Sequence, residues 1–312
     1  MGVKLPPAIM SQPSPIPSQA GLPRWQAIVL PALFVPLWST GFIGAKLGLP
    51  YAEPYTFLLL RYGIATVALA GAALVLRAPW PTRWQDWGHI AVAGLLIHAV
   101  YISCVFDSIY HGLPSGVSAL IVGLQPLLTA AIVGPMLGER VSRQQWIGLL
   151  LGLAGVTMVV WEKLVLSVEG LWAVGLSAIA LLGITAGTVY QKRFCPALDL
   201  RSGTAIQYVA TTIYVALFAF TIETRQVEWS GEFIFALSWS IVILSIGAVS
   251  LLFYLLRHGA ASRTAALFYL VPPCTAIIAF FLFDERLGVL ALAGMALVAF
   301  GVALATRPAE AT

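Results

Sequence analysis

Apolar residues fill this sequence in long runs, which are separated by short stretches that hold most of the charged and turn-forming residues. A helix needs roughly 20 apolar residues to cross a bilayer core, where its backbone polar groups must bond within the segment. The sequence therefore predicts an all-α integral membrane protein. The ten predicted spans, with nine as the alternative count, are 26–48, 54–76, 86–107, 115–136, 143–161, 170–191, 202–222, 235–256, 262–283 and 288–306.

The composition excludes a water-soluble domain. Hydrophobic residues make up 60% of the chain, charged residues 10%, and the mean hydropathy is +0.91. Soluble domains carry about 25% charged residues. The basic pI of about 9.0 therefore indicates membrane orientation rather than nucleic-acid binding, and no nucleic-acid partner is expected.

Basic residues predict the orientation. Residues 1–24 are rich in Pro and Ser and lack the apolar core of a signal peptide, so we expect a disordered cytoplasmic tail. With that tail inside, twelve Lys and Arg residues fall on the cytoplasmic side, four on the other side, and Arg61 within a span. The positive-inside rule then places both termini in the cytoplasm.

The sequence is internally duplicated at a shift of 146 residues, which aligns Glu139–Arg140 with Glu285–Arg286 and Gly148 with Gly294. Each copy holds five predicted spans, and because five is odd the second copy must be inverted. Inverted repeats are typical of secondary transporters that bind substrate between the halves. We interpret each Glu–Arg doublet as a turn between the fourth and fifth helices whose Glu caps the following helix, with gating as the alternative.

Several motifs resemble one membrane family. They are "LWSTGFIGAKLGL" (37–49), "LLRYGIA" (59–65), Pro126, "GERV" (138–141), Gly155, Pro272–Pro273, "DERL" (284–287) and Gly301. In this order the chain resembles the EamA family of the drug/metabolite transporter superfamily. The resemblance implies two inverted five-helix repeats, 25–161 and 170–306, in a bacterial inner membrane, and efflux of small metabolites such as amino acids.

The chain departs from the family pattern at two places. It reads Trp38-Ser39-Thr40-Gly41 where the family often has Trp-Gly-Ser, and the second half lacks counterparts of Trp38 and Arg61. A cavity built by both halves is therefore expected to be chemically asymmetric.

Two basic residues near or within spans are candidates for cargo binding. An ionisable group inside a membrane costs about 2.5–3.5 kcal/mol on insertion scales, so Arg61 and Lys46 are functional hypotheses. Together they would neutralise a substrate carboxylate, unless each extends to the membrane surface instead. Trp38, Phe42 and Lys46 share one helix face, which we predict to line the same cavity, with helix packing as the alternative.

Other polar residues lie mid-span. His98 and Tyr101 are one turn apart, and Gln125 precedes Pro126, which frees a backbone carbonyl. Hydrogen bonding between helices is the alternative role for such residues. The candidates from the second half are Tyr190, Gln207, Tyr208, Tyr254 and Tyr269.

The charge pattern favours zwitterionic or anionic cargo, because all thirteen carboxylates fall at span ends or in loops. We expect facilitated export by alternating access, with His98 as the candidate group if transport is proton-coupled. Aromatic candidates favour aromatic or apolar amino acids. Phosphorylated or nucleotide-linked sugars are the alternative cargo, and a membrane-embedded enzyme built from the dispersed histidines is a remote alternative.

No cofactor or metal is expected, since the three cysteines lack metal-ligand spacing and no phosphate-binding loop is present. The expected partners are a small-molecule substrate and the lipid bilayer. Gly148, Gly152 and Gly155 form a small-residue face that predicts close helix packing, either within the molecule or in a homodimer.

Overall fold

A computed structural model of the chain describes residues 24–136, 143–164, 168–196, 198–258, 267–285 and 288–305. Its helices follow the predicted spans closely. They are α1 (Arg24–Gly48), α2 (Pro54–Val75), α3 (Trp84–Tyr110), α4 (Ser115–Val122 continuing as Gln125–Met136), α5 (Arg143–Leu164), α6 (Val168–Phe194), α7 (Leu200–Ile222), α8 (231–258), α9 (Val271–Phe283) and α10 (Val289–Ala305).

The predicted all-α membrane fold is confirmed. In the described residues six helices, α1, α2, α3, α6, α7 and α8, are long and apolar enough to cross a membrane. Four shorter apolar helices, α4, α5, α9 and α10, bring the total to ten, six plus four. Five helices per copy means that the two copies run through the membrane in opposite directions. The predicted tail, residues 1–24, lies outside the described residues except for Arg24.

Two of the predicted helical spans contain a segment that is not regular α-helix. Leu95–Val100 in α3 and Ser240–Ala248 in α8 form π-helical turns, and they occupy equivalent positions in the two repeats. A π-turn widens the helix by one residue and often occurs at functional sites. Hydrophobic periodicity cannot reveal it, because both helix types present apolar residues throughout a buried span.

Residues related by the duplication meet between α2 and α7. The rings of Tyr62 and Tyr208 are 5.0 Å apart and perpendicular, and the hydroxyls of Thr66 and Thr212 are 3.0 Å apart. Each pair is separated by 146 residues. Equivalent residues can touch only close to the symmetry axis, so these pairs place the pseudo-two-fold axis of the repeats between α2 and α7.

The glycine face of α5 packs inside the molecule against α10. A Cβ on Gly155 would lie 2.5 Å from the carbonyl oxygen of Gly294, and one on Gly301 would lie 2.6 Å from that of Gly148. The two contacts are equivalent under the duplication. The prediction of close helix packing is confirmed, and its location within the monomer removes this face as a dimer interface.

Candidate functional site

Arg61 lies about two turns into α2 and is buried, with 7% of its surface exposed. Its Nε donates a hydrogen bond to Ser245 Oγ at 3.1 Å, in the π-turn of α8. Among ion pairs between described residues, none involves Arg61. The alternative in which Arg61 extends to the membrane surface is therefore wrong in this conformation, because the side chain crosses into the second half.

A chain of amides continues from the same region. His98 Nε2 is 3.3 Å from Gln207 Oε1, and Gln207 Nε2 donates to Gln191 Oε1 at 2.9 Å. An amide oxygen accepts but does not donate, so this arrangement puts a proton on His98 Nε2. Gln207 is the repeat counterpart of Arg61, and the two residues therefore occupy equivalent places in the two halves.

Aromatic rings enclose these polar groups. Tyr62 and Tyr208 are fully buried, the His98 ring lies 4.9 Å from that of Tyr208, and Tyr101 is buried in the same apolar core. Tyr62 was not among the predicted site residues, although its match to Tyr208 in the duplication would have indicated it. We call Arg61, Tyr62, His98, Gln207, Tyr208 and Ser245 the central cluster.

The predicted face of α1 serves other contacts. Trp38 packs against Phe34 and Phe268, with ring centres 5.3 and 5.2 Å away, and Phe42 is buried in the apolar core. Lys46 forms an ion pair with Glu285. The positive charge of Lys46 is thus already neutralised here, and the predicted joint action of Lys46 and Arg61 on one carboxylate is not assembled in this conformation.

Glu285 follows α9 and links that helix to α1 and α4, rather than capping α10. Besides Lys46 of α1, its carboxylate accepts hydrogen bonds from the backbone N–H and the hydroxyl of Ser115, at 3.3 and 3.2 Å. Glu285 therefore caps α4 of the other repeat, and its interpretation as a cap of α10 is wrong. Glu139, Arg140 and Arg286 lie outside the described residues.

The remaining predicted residues lie apart from the central cluster. Gln125 Nε2 donates to Thr188 Oγ1 at 3.3 Å, and the Tyr190 hydroxyl is 2.8 Å from His89 Nδ1. Tyr254, which is 37% exposed, donates to Gln26 Oε1 at 3.3 Å. Tyr269 belongs to the short helical turn before α9, and its side chain lies outside the described residues.

At one end of the helix bundle, which we call the Glu285 face, carboxylates accept hydrogen bonds from neighbouring segments. Glu223, which follows α7, accepts hydrogen bonds from the backbone N–H groups of Tyr55 and Thr56 at 2.7 and 2.6 Å, and from the Thr56 hydroxyl at 2.7 Å. Burial raises the pKa of Glu223, while these hydrogen bonds oppose that rise. The neighbouring Glu53 accepts from Thr224 N at 2.7 Å.

The opposite end, which we call the Lys192 face, contains clefts beside α6. A cleft of about 410 Å³ is lined by Ile97, Thr188, Gln191, Lys192, Cys195 and Pro196, and we name it the α6 cleft. A second cleft, of about 260 Å³, is lined by Ile132, Thr185, Ala186, Val189, Tyr190, Arg193 and Phe194. Gln191 belongs to the α6 cleft and also bonds to Gln207, so it connects the cleft with the central cluster.

Comparison with known proteins identifies the family. The profile of the EamA-like transporter family matches the chain twice, over residues 25–161 and 171–307. The chain belongs to the EamA-like transporter family. The resemblance carried by the sequence motifs is therefore confirmed, and this EamA-like protein is an integral membrane protein.

Curated relatives of this EamA-like protein are named as transporters. It is 27% identical over 295 residues to "Uncharacterized transporter YvbV" of Bacillus subtilis, covering 93% of this chain and 94% of that one. It is also 27% identical to "Probable terminal-alkyne amino-acid exporter" of Streptantibioticus cattleyicolor, covering 88% and 91%. "Uncharacterized inner membrane transporter YedA" of Escherichia coli K12 is 24% identical, with 88% of each chain covered.

A solved crystal structure shares the fold of this EamA-like protein. It superposes with a TM-score of 0.64 at 20% identity, covering 91% of this chain and 98% of the other. In transporters built from inverted repeats the substrate site lies near the membrane midplane between the repeats. The side chains of the central cluster come from α2, α3, α7 and α8, so both repeats contribute to it beside the pseudo-two-fold axis.

Proposed function

We propose that this protein exports small amphipathic metabolites, with aromatic or apolar amino acids as cargo, by alternating access. The observation that carries the proposal is the buried guanidinium of Arg61, which is bonded to a hydroxyl rather than to a carboxylate among the described residues. A cationic cargo would be repelled by it. A cargo carboxylate would supply an ion-pair partner for this guanidinium.

The geometry of the guanidinium suits a carboxylate. Arg has five N–H donors in a planar fork, and here Nε–H is used by Ser245. The terminal N–H groups would then bind the two oxygens of one carboxylate, which is a strong bidentate arrangement in a site of low dielectric. The ion pair would also offset the cost of holding Arg61 within the membrane.

The surroundings of Arg61 favour an apolar cargo side chain. The ring centres of Tyr62, Tyr208 and His98 lie 4.9–6.3 Å from one another. Aromatic pairs gain roughly 0.5–1.5 kcal/mol beyond the effect of area burial. The relative named as an amino-acid exporter supports cargo of the same class.

The two ends of the bundle support alternating access. The Glu285 face is held by hydrogen bonds and the Lys192 face has clefts, so this conformation would admit cargo from the Lys192 face. The basic residues predict that this face is cytoplasmic, so cargo would enter this conformation from the cytoplasm, as the first step of export requires. Exchange of the two repeat conformations would then open the Glu285 face.

The test is counterflow in liposomes that contain the purified protein. We expect preloaded phenylalanine or leucine to accelerate uptake of the same labelled compound, and cationic dyes to give no acceleration. Arg61→Gln should lower the exchange about tenfold or more, since it removes a charge-assisted bond to the cargo. Arg201→Gln is the matched control, because Arg201 is a surface residue paired with Asp199.

Two results would contradict the proposal. Exchange of hexose phosphates without exchange of amino acids would show that the cargo is phosphorylated. Undiminished exchange by folded Arg61→Gln protein would show that Arg61 does not bind the cargo.

A further inference from the structure

We propose that the α6 cleft is a first docking site for the cargo carboxylate, where Lys192 and the amide of Gln191 bind the anion before it reaches Arg61. The inference rests on the proposed function in taking the cargo to be a carboxylate. It assigns a role to Gln191, which sequence reasoning did not single out.

The α6 cleft is open, and its volume is comparable to that of small-molecule sites. Its volume of about 410 Å³ lies within the range of about 300–1,000 Å³ that is usual for small-molecule pockets. Ile97 and Pro196 give it apolar walls, and Lys192 and Gln191 supply its polar groups. An amphipathic molecule with one anionic end matches this division.

The hydrogen bonds of Gln191 leave a donor for the cleft. Gln191 Oε1 already accepts from Gln207 Nε2, and Gln207 Oε1 is in turn engaged by His98. The amide chain thus runs in one direction, from His98 through Gln207 to Gln191, with each oxygen occupied. At the cleft, this chain ends in the NH₂ group of Gln191. Because this group is a hydrogen-bond donor, it binds anions and not cations.

Lys192 supplies the charge. Its side chain is exposed, and no ion pair between described residues includes it. Its repeat counterpart, Lys46, is instead neutralised by Glu285 at the other face. Among the described residues, the Lys192 face therefore offers a cation to an incoming anion, whereas the Glu285 face offers a neutral pair.

The path inward uses donors of the same kind. An anion that leaves Lys192 and Gln191 would next meet the second amide N–H of Gln207 and then the terminal N–H groups of Arg61. A carboxylate would exchange one donor for the next along this path. An amine without a carboxylate would find no carboxylate partner in the central cluster.

Cys195 gives a direct test, since it lines the cleft and is half-buried. Cys104→Ala and Cys274→Ala leave it as the single thiol of the three. Burial, with a smaller contribution from Asp86, raises the pKa of Cys195, so labelling with a maleimide is best followed at mildly alkaline pH. If the two alanines reduce transport, the wild-type chain is used and Cys195 modification is read by peptide mass spectrometry.

The probes separate the carboxylate from the amine. We expect phenylalanine and phenylpyruvate to slow the labelling of Cys195 several-fold, and phenethylamine to leave it unchanged. Lys192→Gln and Gln191→Leu should each raise the half-protecting concentration about tenfold, as for the loss of one charge-assisted hydrogen bond. Arg193→Gln, which alters the neighbouring cleft, should match the unsubstituted protein.

The outcomes distinguish this inference from the proposed function. Transport of amino acids with no protection of Cys195, or full protection in Lys192→Gln, would overturn the docking site and leave the function standing. Arg61→Gln should lose transport and keep protection; loss of both would show that protection reports binding at the central cluster, which also overturns the site. Neither transport nor protection with any carboxylate would overturn both proposals.

Discussion

The Glu285 face and the Lys192 face are built from duplicated segments but are held by different interactions. On the Glu285 face the start of α2 donates three hydrogen bonds to the carboxylate of Glu223. On the Lys192 face the start of α7 is the equivalent element, and Ser202, the counterpart of Thr56, donates to the carbonyl oxygen of Pro79 at 2.6 Å. The counterpart of Glu223 is Arg77.

Among the described residues, the two faces differ in a small number of charged side chains. Duplication alone would give two faces of equal strength. Among the described residues, Glu223 and the Lys46–Glu285 pair give the Glu285 face charge-assisted hydrogen bonds, each roughly twice as strong as a neutral one. Arg77, at the position equivalent to Glu223, cannot accept such bonds on the Lys192 face. We infer that these bonds hold the described conformation, with its clefts on the Lys192 face.

The largest effect is expected from reversing a charge in the Lys46–Glu285 pair. Lys46→Glu would place two carboxylates together where Ser115 remains as a donor, so the Glu285 face should be destabilised and exchange in liposomes should fall about tenfold or more. The double variant Lys46→Glu with Glu285→Lys should recover most of the exchange. A double variant no better than Lys46→Glu would mean that the pair does not hold the face closed.

A smaller effect is expected at Glu223. Glu223→Ala leaves two backbone N–H groups of α2 without their acceptor, which should lower the free energy of unfolding by roughly 1–3 kcal/mol. Glu223→Gln keeps a carbonyl acceptor and should cost less. Thermal unfolding in one detergent measures both, and Arg77→Gln on the opposite face is the control with little expected change.

The pKa of Glu223 gives this comparison a pH dependence. Because its pKa is raised in the folded protein, the protonated form is favoured by folding. The stability from this carboxyl is therefore complete below the ordinary Glu value of about 4.3 and is lost as the pH rises through the raised value. A melting temperature of Glu223→Gln with the same pH dependence as the wild type would contradict this assignment.

The smallest effect is expected from the hydroxyls that start α2 and α7. Ser202→Ala removes one neutral hydrogen bond to Pro79 and should cost roughly 0.5–1.5 kcal/mol. Thr56→Val removes a bond to a carboxylate and should cost more, roughly 1.5–3 kcal/mol. Equal costs in chemical unfolding would show that the two faces are stabilised equally at these positions.

Sequence reasoning anticipated part of the central cluster. It predicted four residues that the structure brings together, namely Arg61, His98, Gln207 and Tyr208. They could be predicted because polar residues inside apolar spans are few and conspicuous. Ser245 and Gln191 were missed, since neither belongs to a local sequence pattern that indicates a function. Their roles depend on contacts with residues 184 and 16 positions away, and these arise only when helices pack.

The sequence by itself determined the membrane class, the helix positions and the inverted repeat. Those properties follow from the length of apolar runs and from an odd number of spans per copy, and both can be counted along the chain. Only the tertiary structure decided that Arg61 bonds to α8, that Glu285 joins Lys46 and Ser115, and that the glycines of α5 meet α10. Each of these contacts joins residues from opposite halves of the duplication, and which side chains meet there depends on how the two inverted halves pack together.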